Sequence, residues 1–221
     1  MNMKGLAFGA AALFALSMPS EAAIVFDNGG PNNSSGNETT AWVQAEDFSF
    51  AANTTVTGAG VYLGGFGNVS AWDGSFTYYI YADAGGSPGT VLQSGAVTPT
   101  VTDSGIAWSP GRGNAWLFEF AIADFAALAG VTYWLGIHAS EDFPDTAEPH
   151  DIYWVTTDAN ATAFGQESLG GPAGPWFTPE MEHAFFLTGV REVTVPEPTS
   201  LALLGMGLLG LGFAARRRVT G

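Results

Sequence analysis

The chain has 221 residues, 21 acidic against six basic, a formal charge of −15 and no cysteine. That length fits one ordinary domain with tails, and a 47% apolar fraction with 13% aromatics argues against a disordered chain. Without cysteine there is no disulfide framework, thiolate metal site or thiol catalysis, and the acidity argues against a nucleic-acid partner, whose phosphates it would repel.

Residues 1–22 read as a secretory signal peptide. Lys4 supplies the positive start, residues 6–18 form an uncharged run rich in Ala, Leu and Phe, and Ser20 and Ala22 are the small residues before a cut after Ala22. A run of about 13 residues is too short to span a bilayer core of about 30 Å.

The body, residues 23–193, reads as all-β. Strand signals fall at residues 24–27, 42–50, 56–63, 76–81, 90–93, 97–102, 115–122, 131–138, 151–156 and 183–188. The strongest alternate with period two. Phe76, Tyr78 and Ile80 share a face, as do Trp116, Phe118, Phe120 and Ile122, while Tyr133, Leu135 and Ile137 lie opposite Trp134, Gly136 and His138. Gly, Pro, Asn and Ser clusters separate the strands, which is the signature of a single sandwich or barrel. Only residues 122–130 suggest a helical turn.

Motifs for a nucleophile elbow, a zincin or a phosphate loop are absent, so the body is expected not to be an enzyme. His138 and His183 fall in strands, where half-buried histidine is common; a hydrolase without a motif-coded site is the second alternative. The acidic loop of residues 141–151 is the candidate metal site. Glu141, Asp142, Asp145, Glu148 and Asp151, with His150, offer oxygen ligands of the kind Ca²⁺ takes. A solvated acidic loop is the favoured reading, since no fixed ligand spacing is present, and no other cofactor is implied. Glu46 and Asp47 form a second carboxylate pair, also expected to be solvated, and Glu119 is expected to face out from its sheet.

Seven tryptophans raise the possibility of sugar stacking. Trp72, Trp108 and Trp176 lie among Gly, Pro and Ser and are the expected exposed ones, whereas Trp116, Trp134 and Trp154 read as core. Packing remains the favoured role for all of them, because large aromatics dominate sandwich cores.

Residues 194–221 carry the most specific signal. Val195-Pro196-Glu197-Pro198 precedes 17 uncharged residues, 199–215, and then Arg216, Arg217 and Arg218. That run is at the short end for a membrane helix, and the arginine cluster keeps its far side cytoplasmic, leaving the body outside. Two prolines hold the tripeptide extended, as a protease substrate must be, and Gly205, Gly207, Gly210 and Gly212 weaken the helix as a permanent anchor. Of the 21 acidic residues only Glu21 and Glu197 lie outside residues 23–195, and of the six basic ones only Arg112 and Arg191 lie inside. The exported part therefore has a net charge of −17 and no lysine, which disfavours close self-association.

This tail resembles a PEP-CTERM sorting signal, a type of segment also labelled as an ice-binding-protein C-terminal domain. The resemblance implies a Gram-negative, exopolysaccharide-producing source. It also implies a precursor held in the inner membrane and transient recognition by an exosortase, a membrane cysteine protease. Pro196, Glu197 and Pro198 would be recognised, and Arg216–Arg218 would act as the cytoplasmic stop. The segment Ile80-Tyr81-Ala82-Asp83-Ala84-Gly85-Gly86-Ser87-Pro88-Gly89-Thr90-Val91-Leu92, with residues 130–137 and 184–189, is similar to a β-sandwich domain found ahead of such tails. It implies a jelly-roll-like sandwich without an activity. The expected product is a secreted or surface-attached structural or interaction protein of an extracellular polysaccharide matrix. A carbohydrate-binding module, assisted by Ca²⁺ or not, is the first alternative.

Overall fold

The computed structural model describes residues 23–65, 74–140, 152–159 and 164–192. Within them the chain forms twelve strands in two antiparallel sheets and no helix. The all-β sandwich expected from the alternating aromatics is the observed fold.

The larger sheet is built around β4 (Thr54–Gly65). On one edge β4 pairs with β8 (Asn114–Ala127), which in turn pairs with β7 (Thr100–Ala107). On its other edge it pairs first with β12 (Phe185–Arg191) and then with β10 (Ile152–Val155). β1 (Ala23–Asp27) adds to β12, and β2 (Gly36–Glu38) adds to β10. The smaller sheet runs β11 (Gln166–Ser168), β3 (Val43–Ser49), β9 (Thr132–His138), β5 (Thr77–Asp83), β6 (Pro88–Ala96).

One face of each sheet meets the other across an aromatic core. Phe48, Phe76, Phe118, Leu63, Leu135, Ile137 and Phe185 are all essentially inaccessible. Each such side chain contributes roughly 1.5–3 kcal/mol by leaving water. Rings meet edge-on or tilted, as between Phe76 and Phe120 at 5.1 Å and between Phe125 and Tyr133 at 5.1 Å.

Three local expectations are corrected. Residues 122–130 make no helical turn, because β8 continues to Ala127, where it pairs with Thr54 of β4. The strand expected at residues 97–102 is divided: β6 ends at Ala96 in one sheet and β7 begins at Thr100 in the other, so residues 97–99 carry the chain between sheets. Trp116, expected in the core, is only half-buried and packs against it.

Candidate functional site

The pair Glu46–Asp47 is not solvated, contrary to expectation: both residues are fully buried. The reason is that β3 is covered on both faces. Gln44, Glu46 and Phe48 point between the sheets, opposite Ile137, Leu135 and Tyr133 of β9. Val43, Ala45 and Asp47 lie on the outer face, where Ala45 packs with Tyr81 and Trp134 beneath Trp176.

Glu46 meets His183, which lies two residues before β12 and bridges to Thr156. Glu46 Oε2 accepts the His183 backbone N–H at 2.8 Å and lies 2.9 Å from His183 Nδ1. His183 Nε2 lies 3.0 Å from Asn37 Oδ1, and Asn37 Nδ2 donates to Glu167 Oε2 at 3.3 Å. The amide orientation therefore requires a proton on Nε2, and one further proton is shared between Nδ1 and Oε2. The pair is electrically neutral wherever that proton sits. Trp154 stacks on the imidazole at 4.9 Å and 29°, with its own indole N–H donated to Ala184 O.

Burial sets the proton energetics. Desolvation, reinforced by the neighbouring Glu182 and Asp47 carboxylates, holds the Glu46 carboxyl well above its usual range against two backbone N–H bonds that lower it. Desolvation also lowers the His183 imidazole to about 3. Both shifts favour the neutral acid beside the neutral ring.

A carboxylate and a histidine in contact form the minimal acid–base couple. Here nothing reaches it: both side chains have zero exposure, and a Cβ on Gly165 would stand 2.5 Å from His183 Nδ1 and 2.8 Å from Glu46 Oε2. Gly165 is thus a lid with no room for a side chain. The neighbouring cavity, about 220 Å³, is lined by Asn32, Thr156, Phe164 and Glu182 among others, but by neither Glu46 nor His183. The couple acts as a clamp between the two sheets.

The other candidate residues are placed as follows. Trp108, expected at the surface, is buried at 4% exposure. It lies flat on Tyr153 at 5.5 Å and 15° and over Gly64, where a Cβ would come within 2.4 Å of the indole. Trp176 is half-buried, with Tyr81 against it at 5.3 Å and 84°. Glu119 is exposed on the outer face of β8. His138 is buried, its Nε2 2.7 Å from Thr40 O. Trp72, His150 and the candidate metal ligands Glu141, Asp142, Asp145, Glu148 and Asp151 lie outside the described residues. Among the described residues no group of three or more His, Asp or Glu is arranged to hold a metal ion.

The sorting segment also lies outside them, as do residues 1–22. What the structure describes is the chain's departure toward it. Asn53, in the turn between β3 and β4, accepts the Glu192 N–H at its backbone oxygen, 2.9 Å, and donates from Nδ2 to Glu192 Oε2 at 3.2 Å. β1 and β12 lie side by side, with Ala23 opposite Gly189, so the start of β1 and the end of β12 share one end of the sandwich.

Residues 194–218 match the PEP-CTERM protein-sorting motif. The chain carries a PEP-CTERM sorting motif. It is accordingly an exported protein whose membrane-anchored precursor is processed by an exosortase. The PEP-CTERM match includes Pro196, Glu197, Pro198 and the three arginines, and it begins two residues after the Asn53 clamp on Glu192. No curated protein matches the chain.

Proposed function

We propose that the β-sandwich is a non-catalytic structural or interaction module of the extracellular polysaccharide matrix, delivered there by exosortase processing. One observation carries this reading: the sorting motif follows a sandwich whose Glu46–His183 pair, among the described residues, is sealed at zero exposure. A couple that substrate cannot reach serves the fold, and the function then resides on the surface. That surface belongs to a body with 19 carboxylates and two guanidinium groups, which stays dispersed between hydrated polymer chains by charge repulsion.

The test has two stages. Intact-mass spectrometry of protein recovered from cells and medium should show loss of residues 1–22 and of the apolar run 199–215. Retention of that run in the membrane fraction would make the protein a plain tail-anchored one. Co-sedimentation of the processed protein with exopolysaccharide should then exceed that of an unrelated acidic β-sandwich. Absence of co-sedimentation would defeat the matrix role. A discrete oligosaccharide bound on a glycan array and lost in Trp176→Ala would replace it with the carbohydrate-module reading. Turnover of glycoside or ester substrates, lost in His183→Gln, would replace it with a hydrolase. Heat on titration with Ca²⁺, lost when Glu141, Asp142 and Asp145 are replaced by alanine, would establish the acidic loop as a cation site.

A further inference from the structure

Three features meet at the end of the sandwich where β12 finishes. The first is geometric. Glu192 is fixed by Asn53, and the apolar run begins at Thr199, so seven Cα steps of at most about 3.6 Å separate them, a reach of roughly 25 Å. The opposite end is further by the length of β8, whose 14 residues span about 45 Å. In an anchored precursor this end faces the bilayer and the other does not.

The second feature is apolar. Ile24 and Leu128 are each 56% exposed, and Val131 and Val190 are also exposed. Exposed singly such residues are ordinary, but these four occupy the same end. Asn53 Oδ1 accepts the Ala129 N–H at 3.0 Å, Gly130 N–H donates to Phe50 O at 2.8 Å, and Val190 pairs with Thr55. The turn at residues 128–131 is therefore tied directly to the point where the chain departs.

The third feature is a cleft of about 360 Å³ at this end, lined by Ile24, Phe26, Phe50, Ala52, Asp27 and Arg191. Arg191 is one of only two cations in the exported body. It donates to Val25 O at 2.5 Å, and no carboxylate pairs with it among the described residues. Four carboxylates lie toward this end: Asp27 lines the cleft and accepts the Gly29 N–H, Asp124 is exposed on β8 four residues before Leu128, and Asp83 and Glu192 are hydrogen-bonded, Asp83 by Trp134 and by the Gly85 and Gly86 N–H groups.

From these we propose that this end of the sandwich is a lipid-facing surface: Leu128, Val131 and Ile24 enter the headgroup region of the bilayer that holds the precursor, and Arg191 meets its phosphates. The occupant is the bilayer, because the anchored segment leaves from this surface on a tether that keeps this end within roughly 25 Å of it, nearer than the opposite end. The proposal rests on the membrane-anchored precursor stated above.

The test uses the full chain in phospholipid vesicles containing spin-labelled lipid. Since the chain has no cysteine, Leu128→Cys, Val131→Cys and Ile106→Cys each give one fluorescent site. Ile106 is 42% exposed near the far end of β7 and serves as the matched control. Quenching at positions 128 and 131 should be several-fold greater than at 106. It should persist when about 20 Gly/Ser residues, adding a mean span of roughly 25 Å, are inserted after Glu192. Equal quenching at all three positions, or loss of the difference with the longer tether, would overturn the proposal while leaving the anchor intact. Failure of the chain to float with vesicles would overturn the anchored precursor as well.

Discussion

The Glu46–His183 clamp predicts an unusual stability profile with pH. In the unfolded chain Glu46 titrates near 4.5 and His183 near 6.5; in the folded protein the first is raised well above that value and the second is lowered to about 3. The raised Glu46 keeps a proton that the unfolded chain releases above 4.5, so its contribution falls as pH rises from 4.5 toward its folded value. The lowered His183 refuses a proton that the unfolded chain takes up, so its contribution falls as pH drops from 6.5 toward 3. Between 4.5 and 6.5 the two slopes cancel. Above 6.5 only the Glu46 slope remains, at about 1.4 kcal/mol per pH unit until Glu46 itself ionises. Glu46→Gln isolates it. A glutamine has the same shape, but the His183 N–H and Nδ1 both face Oε2, so its amide serves only one of them and the variant loses stability by an amount that does not change with pH. Urea unfolding of both proteins at several pH values from about 4.5 to about 8 supplies the comparison. The wild-type stability minus that of the variant should drop as pH rises above 4.5, by at most about 1.4 kcal/mol per unit, and level off where folded Glu46 ionises. Titrating groups remote from Glu46 cancel in that difference. A difference constant across the range would mean that Glu46 ionises alike in both states, and the burial argument would be wrong.

Three further predictions concern packing. Gly165→Ala places a methyl group against His183 and Glu46 and should cost about 1–3 kcal/mol by thermal or urea unfolding, with a stability unchanged from wild type telling against the sealed lid. Trp108→Ala should cost about 3–5 kcal/mol, as a core tryptophan does, while leaving any retention on polysaccharide unaltered. The Tyr81 hydroxyl is buried and has no hydrogen-bond partner among the described residues, so Tyr81→Phe should leave stability unchanged or raise it by up to about 1 kcal/mol; a loss of more than that would reveal a partner.

How much of this was legible in the sequence depends on whether a strand is covered on one face or two. Where the outer face meets water, as in β8, alternation reads directly: Phe118, Phe120 and Ile122 are buried and Glu119 is exposed. β3 is covered on both faces, so its alternation carries no inside–outside information, and Glu46 and Asp47 look like a surface pair. The partner of Glu46 lies 137 positions away, a pairing that only the topology creates. The three-residue strands β2 and β11, Gly-Asn-Glu and Gln-Glu-Ser, hold no apolar residue and exist because β10 and β3 offer them an edge. Residues 122–130 mimic a helical turn because Ala and Leu are strong helix formers, yet pairing with β4 overrides that preference. The reading of Trp108 failed for a related reason. Its Gly, Pro and Ser neighbours do mark a turn, but the turn folds back over Gly64, where the missing side chain makes a seat for the indole.

The position of β12 bears on what processing does to the fold. β12 lies between β1 and β4, and its Phe185 and Leu187 are fully buried in the core. The sandwich therefore closes only after the strand next to the sorting segment has been exported, so the body that an exosortase meets is already complete. Among the described residues the chain is last tied at Glu192, by its N–H to Asn53 O and its carboxylate to Asn53 Nδ2, and the matched motif begins after it, at residue 194. Cleavage near Pro196–Glu197–Pro198 then leaves every strand and every core side chain described here in place. The expected outcome is that a chain comprising residues 23–193 melts within about 2–4 °C of the full chain in detergent, which corresponds to about 1 kcal/mol or less at this size. A drop well beyond that would mean that residues past 193 contribute to the sandwich, and processing would be a destabilising event instead of a release.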